Sequence, residues 1–205
     1  AFTDATPLHG TAPRYWTYNN APQYGPDGSV ITLRYGMKEI HSLMRIDPAT
    51  GKETRLCYPG KINFNAPSVG GGRVAWSEQI PDLRWGQRSY SVIVTYDLAA
   101  KKKRTLTRNT KLFAPALSPD GKRIVAVEYT PANRCSLVII DADTGAETAR
   151  YAAGEREFIQ TPHWALDGKS IVYTRIDRLR GKAIAHMNAG SGASADIVPY
   201  TYKNI

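Results

Sequence analysis

One pattern of short apolar runs and turns recurs along this 205-residue chain and restricts its fold more than any other feature. It is clearest at 113–151, where a Ser-Pro-Asp-Gly turn at 118–121 precedes the apolar run 124–127. Proline in such a turn fixes one backbone angle, and glycine accepts a positive one. A second apolar run, 137–140, ends at the Asp-Ala-Asp-Thr-Gly sequence of 141–145, which is typical of a hairpin. The pattern predicts strand, turn, strand, loop, strand, turn and strand.

Three markers of this unit keep one register through four copies. An Ala-Pro or Thr-Pro pair opens each copy, a glycine turn follows its first strand, and an Asp- or Asn-initiated hairpin precedes its fourth strand. The pairs lie 45 to 48 residues apart, at Ala21-Pro22, Ala66-Pro67, Ala114-Pro115 and Thr161-Pro162. The hairpins lie at 47–51, 97–101, 141–145 and 188–192. A period of about 40–50 residues with four short strands per unit is the signature of a β-propeller.

The predicted fold is therefore an all-β propeller over 21–205, in which neighbouring blades bury each other's faces. Four four-stranded blades are expected at about 21–65, 66–113, 114–160 and 161–200. Their innermost strands are expected to be short. Residues 1–20 precede the first copy, and their Tyr-Trp-Thr-Tyr sequence at 15–18 predicts either an ordered tail or an outer strand of a preceding or closing blade.

The third copy carries the most complete form of the repeat. Its Pro-x-x-Ser-Pro-Asp-Gly-Lys-x-Ile sequence from Pro115, with the terminal Asp-x-x-Thr-Gly of 141–145, resembles the TolB-like, WD40-like (PD40-type) propeller repeat. The fourth copy departs from it at Ala165-Leu166, and the second lacks the Pro-Asp pair. The resemblance covers about 21–200 and implies a binding propeller of the bacterial cell envelope, periplasmic or extracellular. The repeat motif is structural, so the resemblance implies no catalytic residue.

The number of copies predicts an incomplete ring. The resemblance to TolB-type propellers implies a ring of six blades, whereas the four copies in this chain give only four. We favour a piece of a larger, six- to eight-bladed propeller. A closed four-bladed ring and two chains closing one eight-bladed ring are the alternatives. An open half-ring would expose two blade faces and favour self-association through them.

Basic residues concentrate in the predicted loops between the second and third strands, which lie on the same face as the connections between blades. The chain carries a formal net charge of +9. Converging like charges steer anionic partners, and arginine binds carboxylates bidentately. We therefore predict that the rim binds an acidic protein or peptide partner; an anionic glycan and a merely solubilising surface are the alternatives. The predicted site, the loop rim, comprises Arg34, Lys38, Arg84, Trp85, Arg88, Arg134, Arg175, Arg178 and Arg180.

An aromatic residue in a loop and a basic run in a hairpin are two further features of the sequence. Trp85 lies in the middle of the longest loop, where it either serves as an interface hot spot or packs over a neighbouring blade. The basic run 101–104 falls in a hairpin and is interpreted as a solvated turn. The sequence has no nucleic-acid-binding motif, so no nucleic-acid partner is predicted. Its apolar runs are too short for a transmembrane helix.

The sequence lacks the motifs of common catalytic and metal sites. It has no Gly-x-Ser-x-Gly, no His-Glu-x-x-His and no glycine-rich phosphate loop after a strand. We predict no enzyme activity, no cofactor and no metal site. The predicted function is a non-catalytic binding or scaffolding propeller that docks a protein or peptide in the cell envelope. The alternative is an accessory propeller that gates substrate for a peptidase domain outside this chain.

Overall fold

The computed structural model describes residues 2–3, 17–36, 39–62 and 66–203, and these residues form four antiparallel sheets, one per blade. Blade 1 comprises β1 (Phe2–Thr3), β2 (Thr17–Tyr24), β3 (Val30–Gly36), β4 (Glu39–Ile46) and β5 (Glu53–Cys57). Blade 2 comprises β6 (Ser68–Gly70), β7 (Arg73–Pro81), β8 (Ser89–Asp97) and β9 (Lys102–Thr105). Blade 3 comprises β10 (Leu112–Leu117), β11 (Arg123–Tyr129), β12 (Cys135–Asp141) and β13 (Glu147–Ala152). Blade 4 comprises β14 (Glu157–Trp164), β15 (Ser170–Asp177), β16 (Gly181–Asn188) and β17 (Ser194–Thr201).

The predicted all-β fold with four four-stranded blades is confirmed, with one addition. Within each blade the strands follow one another in chain order as an antiparallel meander. In blade 1 the short strand β1 pairs with the edge of β2 opposite β3 and makes a fifth strand. None of the described residues forms a helix that is long and apolar enough to cross a membrane.

The strands of each blade are counted by the four-stranded repeat, so that β2 is the first strand of blade 1, and these first strands surround the propeller axis. Residues of β2, β6, β10 and β14 surround one central cavity of about 80 Å³, which is lined by Gln23, Ser68, Pro115, Pro162 and His163 among others. The proline pairs of blades 2, 3 and 4 therefore line this central cavity, where blade 1 contributes Gln23.

In three blades the innermost strand (β2, β10 or β14) is longer than predicted, because the proline pair lies inside it. In blade 2 the pair Ala66-Pro67 precedes the short strand β6. The residue before the proline has a positive φ in three blades: 51° at Ala21, 48° at Ala114 and 45° at Thr161. The strand register shifts at each of these positions, as it does at a β-bulge. The bulge takes the proline out of the hydrogen-bonding ladder, so pairing continues on both sides of it.

Because β2 continues past its bulge to Thr17, the prediction of an outer strand at 15–18 is wrong for the two described residues of that segment. Thr17 and Tyr18 belong to β2, where they pair with Gly36 and Tyr35 of β3, so they form part of the innermost strand of blade 1. They are not part of an outer strand of another blade. Residues 15 and 16 lie outside the described residues.

Three apolar cores hold the blades together. The first contains Ile31 of blade 1 and Trp76 of blade 2, the second Ile93 of blade 2 and Ile124 of blade 3, and the third Leu137 of blade 3 and Ile171 of blade 4, with their neighbours. Because the central strands are buried on both faces, their sequences are nearly continuous apolar runs.

No corresponding core among the described residues joins blade 4 to blade 1. On blade 4, Val172, Ile176 and Ile184 alternate with residues of the blade 3–4 core and are only half-buried. This open face fits an incomplete propeller.

An arginine at the start of the second strand also links successive blades. Arg73 of blade 2 donates to the Gly121 carbonyl (3.4 Å) and pairs with Asp143 (2.5 Å), both in blade 3. Arg123 of blade 3 donates to the Gly168 carbonyl of blade 4 at 2.5 Å, and its guanidinium lies 4.5 Å from the ring centre of Trp164.

We expect Arg123→Met to lower the free energy of unfolding by about 1–2 kcal/mol, because the apolar stem is kept while one hydrogen bond and one cation–π contact are lost. Urea denaturation of the two proteins measures this. Lys122→Met, at an exposed neighbouring position, is the control and should change stability by less than about 0.5 kcal/mol. Equal effects of the two changes would contradict a linking role for Arg123.

Candidate functional site

The loops between second and third strands lie at 82–88 in blade 2, 130–134 in blade 3 and 178–180 in blade 4. The corresponding loop of blade 1 contains Lys38, which lies outside the described residues. Of the other predicted rim residues, Arg84, Trp85, Arg88, Arg134, Arg178 and Arg180 lie in these loops. Arg34 and Arg175 do not: they lie in strands β3 and β15.

Arg34 has a structural environment. Its side chain is only 13% exposed, and its two terminal nitrogens donate to the Glu53 carboxylate at 2.6 and 2.5 Å. Its Nε donates to the Asn19 side chain at 3.0 Å. These contacts join β2, β3 and β5, so Arg34 is committed to holding blade 1 together.

Arg175 and Arg180 belong to a cluster in blade 4, the blade-4 ion cluster, formed by Glu157, Arg175, Arg180, Asp196 and Tyr200. The Glu157 carboxylate accepts from Arg180 (2.8 Å) and from the Tyr200 hydroxyl (2.7 Å), and lies 3.8 Å from Arg175. Arg175 also pairs with Asp196. The Arg180 guanidinium stacks on the Tyr200 ring, 4.0 Å from its centre.

Burial and charge act in opposite directions on this cluster. Burial raises the pKa of Glu157, but the hydrogen bond from Tyr200 and the charge of Arg175 more than offset it, so the net pKa lies below its ordinary value. Burial, together with the hydrogen bond to Glu157, raises the pKa of Tyr200 to about 12. Glu157 is therefore ionised and Tyr200 protonated at neutral pH, and the cluster is internally compensated.

Arg88 and Arg134 are paired more loosely. Arg88 Nε lies 3.6 Å from the Asp82 carboxylate, and its guanidinium lies 5.2 Å from the Tyr90 ring centre. Arg134 lies 3.4 Å from Glu155, and both side chains are largely exposed. Exposed pairs of this kind contribute little to stability, so both arginines can exchange partners at small cost.

The arrangement leaves Arg84 and Arg178 without a carboxylate partner among the described residues. Arg84 lies between Leu83, which is fully exposed, and Trp85, which is 63% exposed. Backbone hydrogen bonds from Asp82 to Arg88 (2.9 Å) and from Arg88 to Trp85 (2.8 Å) hold the loop in shape. We call Leu83, Arg84 and Trp85 the blade-2 loop tip.

The carboxylates that pair with Arg34 and Arg175 lie outside the loops, so the loop sequences alone do not reveal them. Glu53 lies 19 residues from Arg34, and Asp196 lies 21 residues from Arg175. Each comes from the fourth strand of its blade, or for Glu157 from the first. The predicted strand register could have revealed these pairs, because the hairpins place the strands that carry the arginines and the carboxylates in one sheet.

Among the described residues, no group of three or more His, Cys, Asp or Glu side chains is arranged to hold a metal ion. The site is therefore described by its loops and ion pairs alone.

No protein-family model matches this chain, and no curated protein matches it. Solved structures do match. TolB from Acinetobacter baumannii superposes with a TM-score of 0.68 and 15% identity, over 89% of this chain and 44% of TolB. An oligogalacturonate lyase in complex with manganese gives 0.66 and 16%, over 91% of this chain and 54% of that one. A prolyl endopeptidase gives 0.62 and 14%, over 90% of this chain and 29% of that one.

At these identities the matches show the fold alone. The chain spans about half, or less, of the length of each structure, as a set of blades from a larger propeller does. Four meander sheets, packed side by side around an axis lined by their first strands, have the same arrangement in all of them. The chain therefore has the fold of a TolB-like β-propeller.

Proposed function

We propose that this chain is a non-catalytic binding or scaffolding part of a larger propeller, and that it docks a protein or peptide partner through the blade-2 loop tip. The observation that carries the proposal is the exposure of Leu83 and Trp85 on either side of Arg84, which has no carboxylate partner in the part of the chain that the structure describes. Tryptophan and arginine dominate the binding energy of many protein interfaces. The loop that presents them is held by its own backbone hydrogen bonds, so binding requires little ordering.

The proposed partner surface is smaller than the loop rim. Arg34, Arg175 and Arg180 are held in ion pairs inside blades 1 and 4, so their charges are already satisfied. Of the rim residues that the structure describes, Arg84 and Arg178 have no carboxylate partner, and the loosely paired Arg88 and Arg134 can add to their positive charge. An acidic partner segment remains the proposed chemistry, since like charges on one face attract carboxylates.

The TolB-like fold supports a place in the bacterial cell envelope, periplasmic or extracellular. The open face of blade 4 supports completion of the ring by further blades, because the chain covers only 44% of TolB. Self-association through that face stays a prediction.

We expect Arg84→Glu/Trp85→Ala to reduce capture of envelope proteins by immobilised protein at least about tenfold, since one charge is reversed and one aromatic anchor removed. The measurement is quantitative mass spectrometry of pull-downs from envelope extract. The matched control is Lys122→Glu/Leu166→Ala, which changes one exposed cation and one exposed apolar residue on the opposite face. Equal capture by both variants would refute the loop tip as the docking surface.

The second candidate is an accessory propeller that gates substrate for a peptidase domain. The match to a prolyl endopeptidase favours it, because most of that chain lies outside the matched blades. The parent gene distinguishes the two candidates: a peptidase domain encoded beside these blades would replace the first proposal by the second.

A further inference from the structure

The hairpins between the third and fourth strands have a residue with positive φ at the same position in all four blades, and this residue is glycine in three of them. Gly51, Gly145 and Gly192 have φ values of 69°, 75° and 72° there. Blade 2 has Lys101 at this position, with a φ of 54°. A residue with a side chain rarely adopts this conformation, which persists only where the surrounding structure holds the backbone in place.

Lys101 lies at the rim of a groove of about 530 Å³ between blades 1 and 2, the blade-1/2 groove. Leu56, Tyr96 and Leu98 form the apolar part of its wall. Lys52 and Arg55 of blade 1 stand with Lys101 around it. The groove thus combines an apolar wall with a cationic rim.

The positive charge of this rim is largely uncompensated. Lys52, Arg55 and Lys101 have no carboxylate partner among the described residues, although Arg55 lies over the Tyr58 ring at 4.6 Å. Arg45, also in the lining, pairs with Asp27. The Asp47 carboxylate accepts the backbone N–H groups of Ala49 (2.9 Å) and Thr50 (3.3 Å), which keeps it in its own turn.

The basic character continues on the other side of the same hairpin. Lys102 and Arg104, again without a carboxylate partner in the described part of the chain, line a second groove of about 250 Å³ between blades 2 and 3. Arg73 lines it too, but pairs with Asp143. The run 101–104 is therefore a ridge between two grooves, which its interpretation as a solvated turn does not explain.

The repeat itself does not require these cations. The equivalent hairpin of blade 3 reads Asp-Ala-Asp-Thr-Gly-Ala at 141–146, and that of blade 4 reads Asn-Ala-Gly-Ser-Gly-Ala at 188–193. Both form the same turn without a lysine or arginine. The basic ridge is thus a property of blade 2 and not of the fold.

We propose that the blade-1/2 groove binds an acidic peptide segment that carries an apolar side chain. The rim cations pair with the carboxylates, and the wall of Leu56, Tyr96 and Leu98 receives the apolar side chain. Nucleic acids and acidic glycans offer no aliphatic side chain for this wall. The surface goes beyond the proposed function, because it lies at the opposite ends of the strands from the blade-2 loop tip.

The test uses fluorescence polarisation with a fluorescein-labelled decapeptide in which eight acidic residues flank a central Leu-Phe pair. We expect Lys52→Glu/Lys101→Glu to weaken binding at least about tenfold, because two attractive charges become repulsive. Lys122→Glu/Lys169→Glu, with the same charge change at exposed turns of blades 3 and 4, should bind nearly as wild type does. Equal losses in both variants would mean non-specific attraction and overturn the proposal.

Lys101→Gly separates binding from folding. It removes one rim cation and relieves the backbone, so the melting temperature should rise while peptide affinity falls about threefold or more. Misfolding cannot produce opposite changes of this kind. A higher melting temperature with unchanged affinity would overturn the role of Lys101.

Binding measurements with two further probes test which class of ligand the groove prefers. A peptide with Ser-Ser in place of Leu-Phe should bind several-fold more weakly, and a ten-nucleotide single-stranded DNA should bind more weakly than the peptide. Equal or tighter binding of either probe would refute an apolar anchor. Arg84→Glu/Trp85→Ala leaves the groove intact, so adding Lys52→Glu/Lys101→Glu to that variant should still weaken decapeptide binding about tenfold. Failure of the loop-tip proposal is therefore separable from failure of this one.

Discussion

Replacing Trp76 by alanine is expected to lower the free energy of unfolding by about 4 kcal/mol, near the upper end of the range for large-to-small core substitutions. The indole is 1% exposed and lies in the core between blades 1 and 2, with Ile31 and Val74. Alanine would leave a cavity at an interface formed by two separate sheets. Neither sheet can close it without shifting as a unit.

A polar contribution adds to this loss. The Trp76 indole N–H donates to Glu78 at 2.8 Å, and the same carboxylate accepts from the Gly60 N–H (2.8 Å) and pairs with Lys103 (2.7 Å). Burial raises the pKa of Glu78, but these partners more than offset it, so the carboxyl is ionised at neutral pH. Removing the indole leaves a nearly buried carboxylate with one donor fewer.

Urea denaturation followed by circular dichroism measures the change. Trp85→Ala is the matched control, because the same substitution at a 63% exposed position should change stability by less than about 0.5 kcal/mol. A loss below about 2 kcal/mol for Trp76→Ala would contradict a tightly packed core between the first two blades.

The positions of these tryptophans, Trp76 in a strand and Trp85 in a loop, could be predicted from the sequence, whereas the exposure of Trp85 could not. Trp76 lies in an apolar run at the position of a second strand, and Trp85 lies between two turn signals at the position of a loop. The register of the repeat assigns Trp76 to a strand and Trp85 to a loop. Four copies with the same order of strands and turns make this assignment firmer than any single segment would. The same register predicted the four sheets and their hairpins.

The paths of the innermost strands could not be predicted in this way. An Ala-Pro pair normally argues against a strand interior, since proline lacks a donor and restricts the residue before it. Here Ala21 and Ala114 take positive φ values and form bulges, so the strands continue. The local sequence does not predict a positive φ for an alanine, because residues with a side chain rarely adopt it.

The loop rim was only partly predictable for a different physical reason. A count of basic residues in a loop says nothing about carboxylates that reach it from other strands. Arg84 and Trp85 are presented by one local loop, which the sequence identifies. Arg175 and Arg180 are neutralised by Glu157 and Asp196, and that pairing depends on how β14 and β17 lie beside β15 and β16.

Glu157→Gln tests that neutralisation and is expected to lower the free energy of unfolding at pH 7 by about 2 kcal/mol. Glutamine keeps the shape of the side chain but removes the charge that faces Arg175 and Arg180. The Glu157 side chain is 14% exposed, so solvent screens these contacts only in part. Glu155→Gln is the matched control: Glu155 is 85% exposed, so this change should cost less than about 0.5 kcal/mol.

The pH dependence gives the sharper criterion. The pKa of Glu157 is lower in the folded protein than its ordinary value, so its contribution is present above the unfolded pKa and is lost as pH falls through the folded pKa. The wild-type protein should therefore lose its advantage over Glu157→Gln as pH falls below the ordinary glutamate pKa of 4.5, and the two should converge in acid. A difference that stays constant over this range would mean that glutamine disturbs packing and not charge. In that case Arg175 and Arg180 would not depend on Glu157 for neutralisation, and they would return to the set of residues available to an acidic partner.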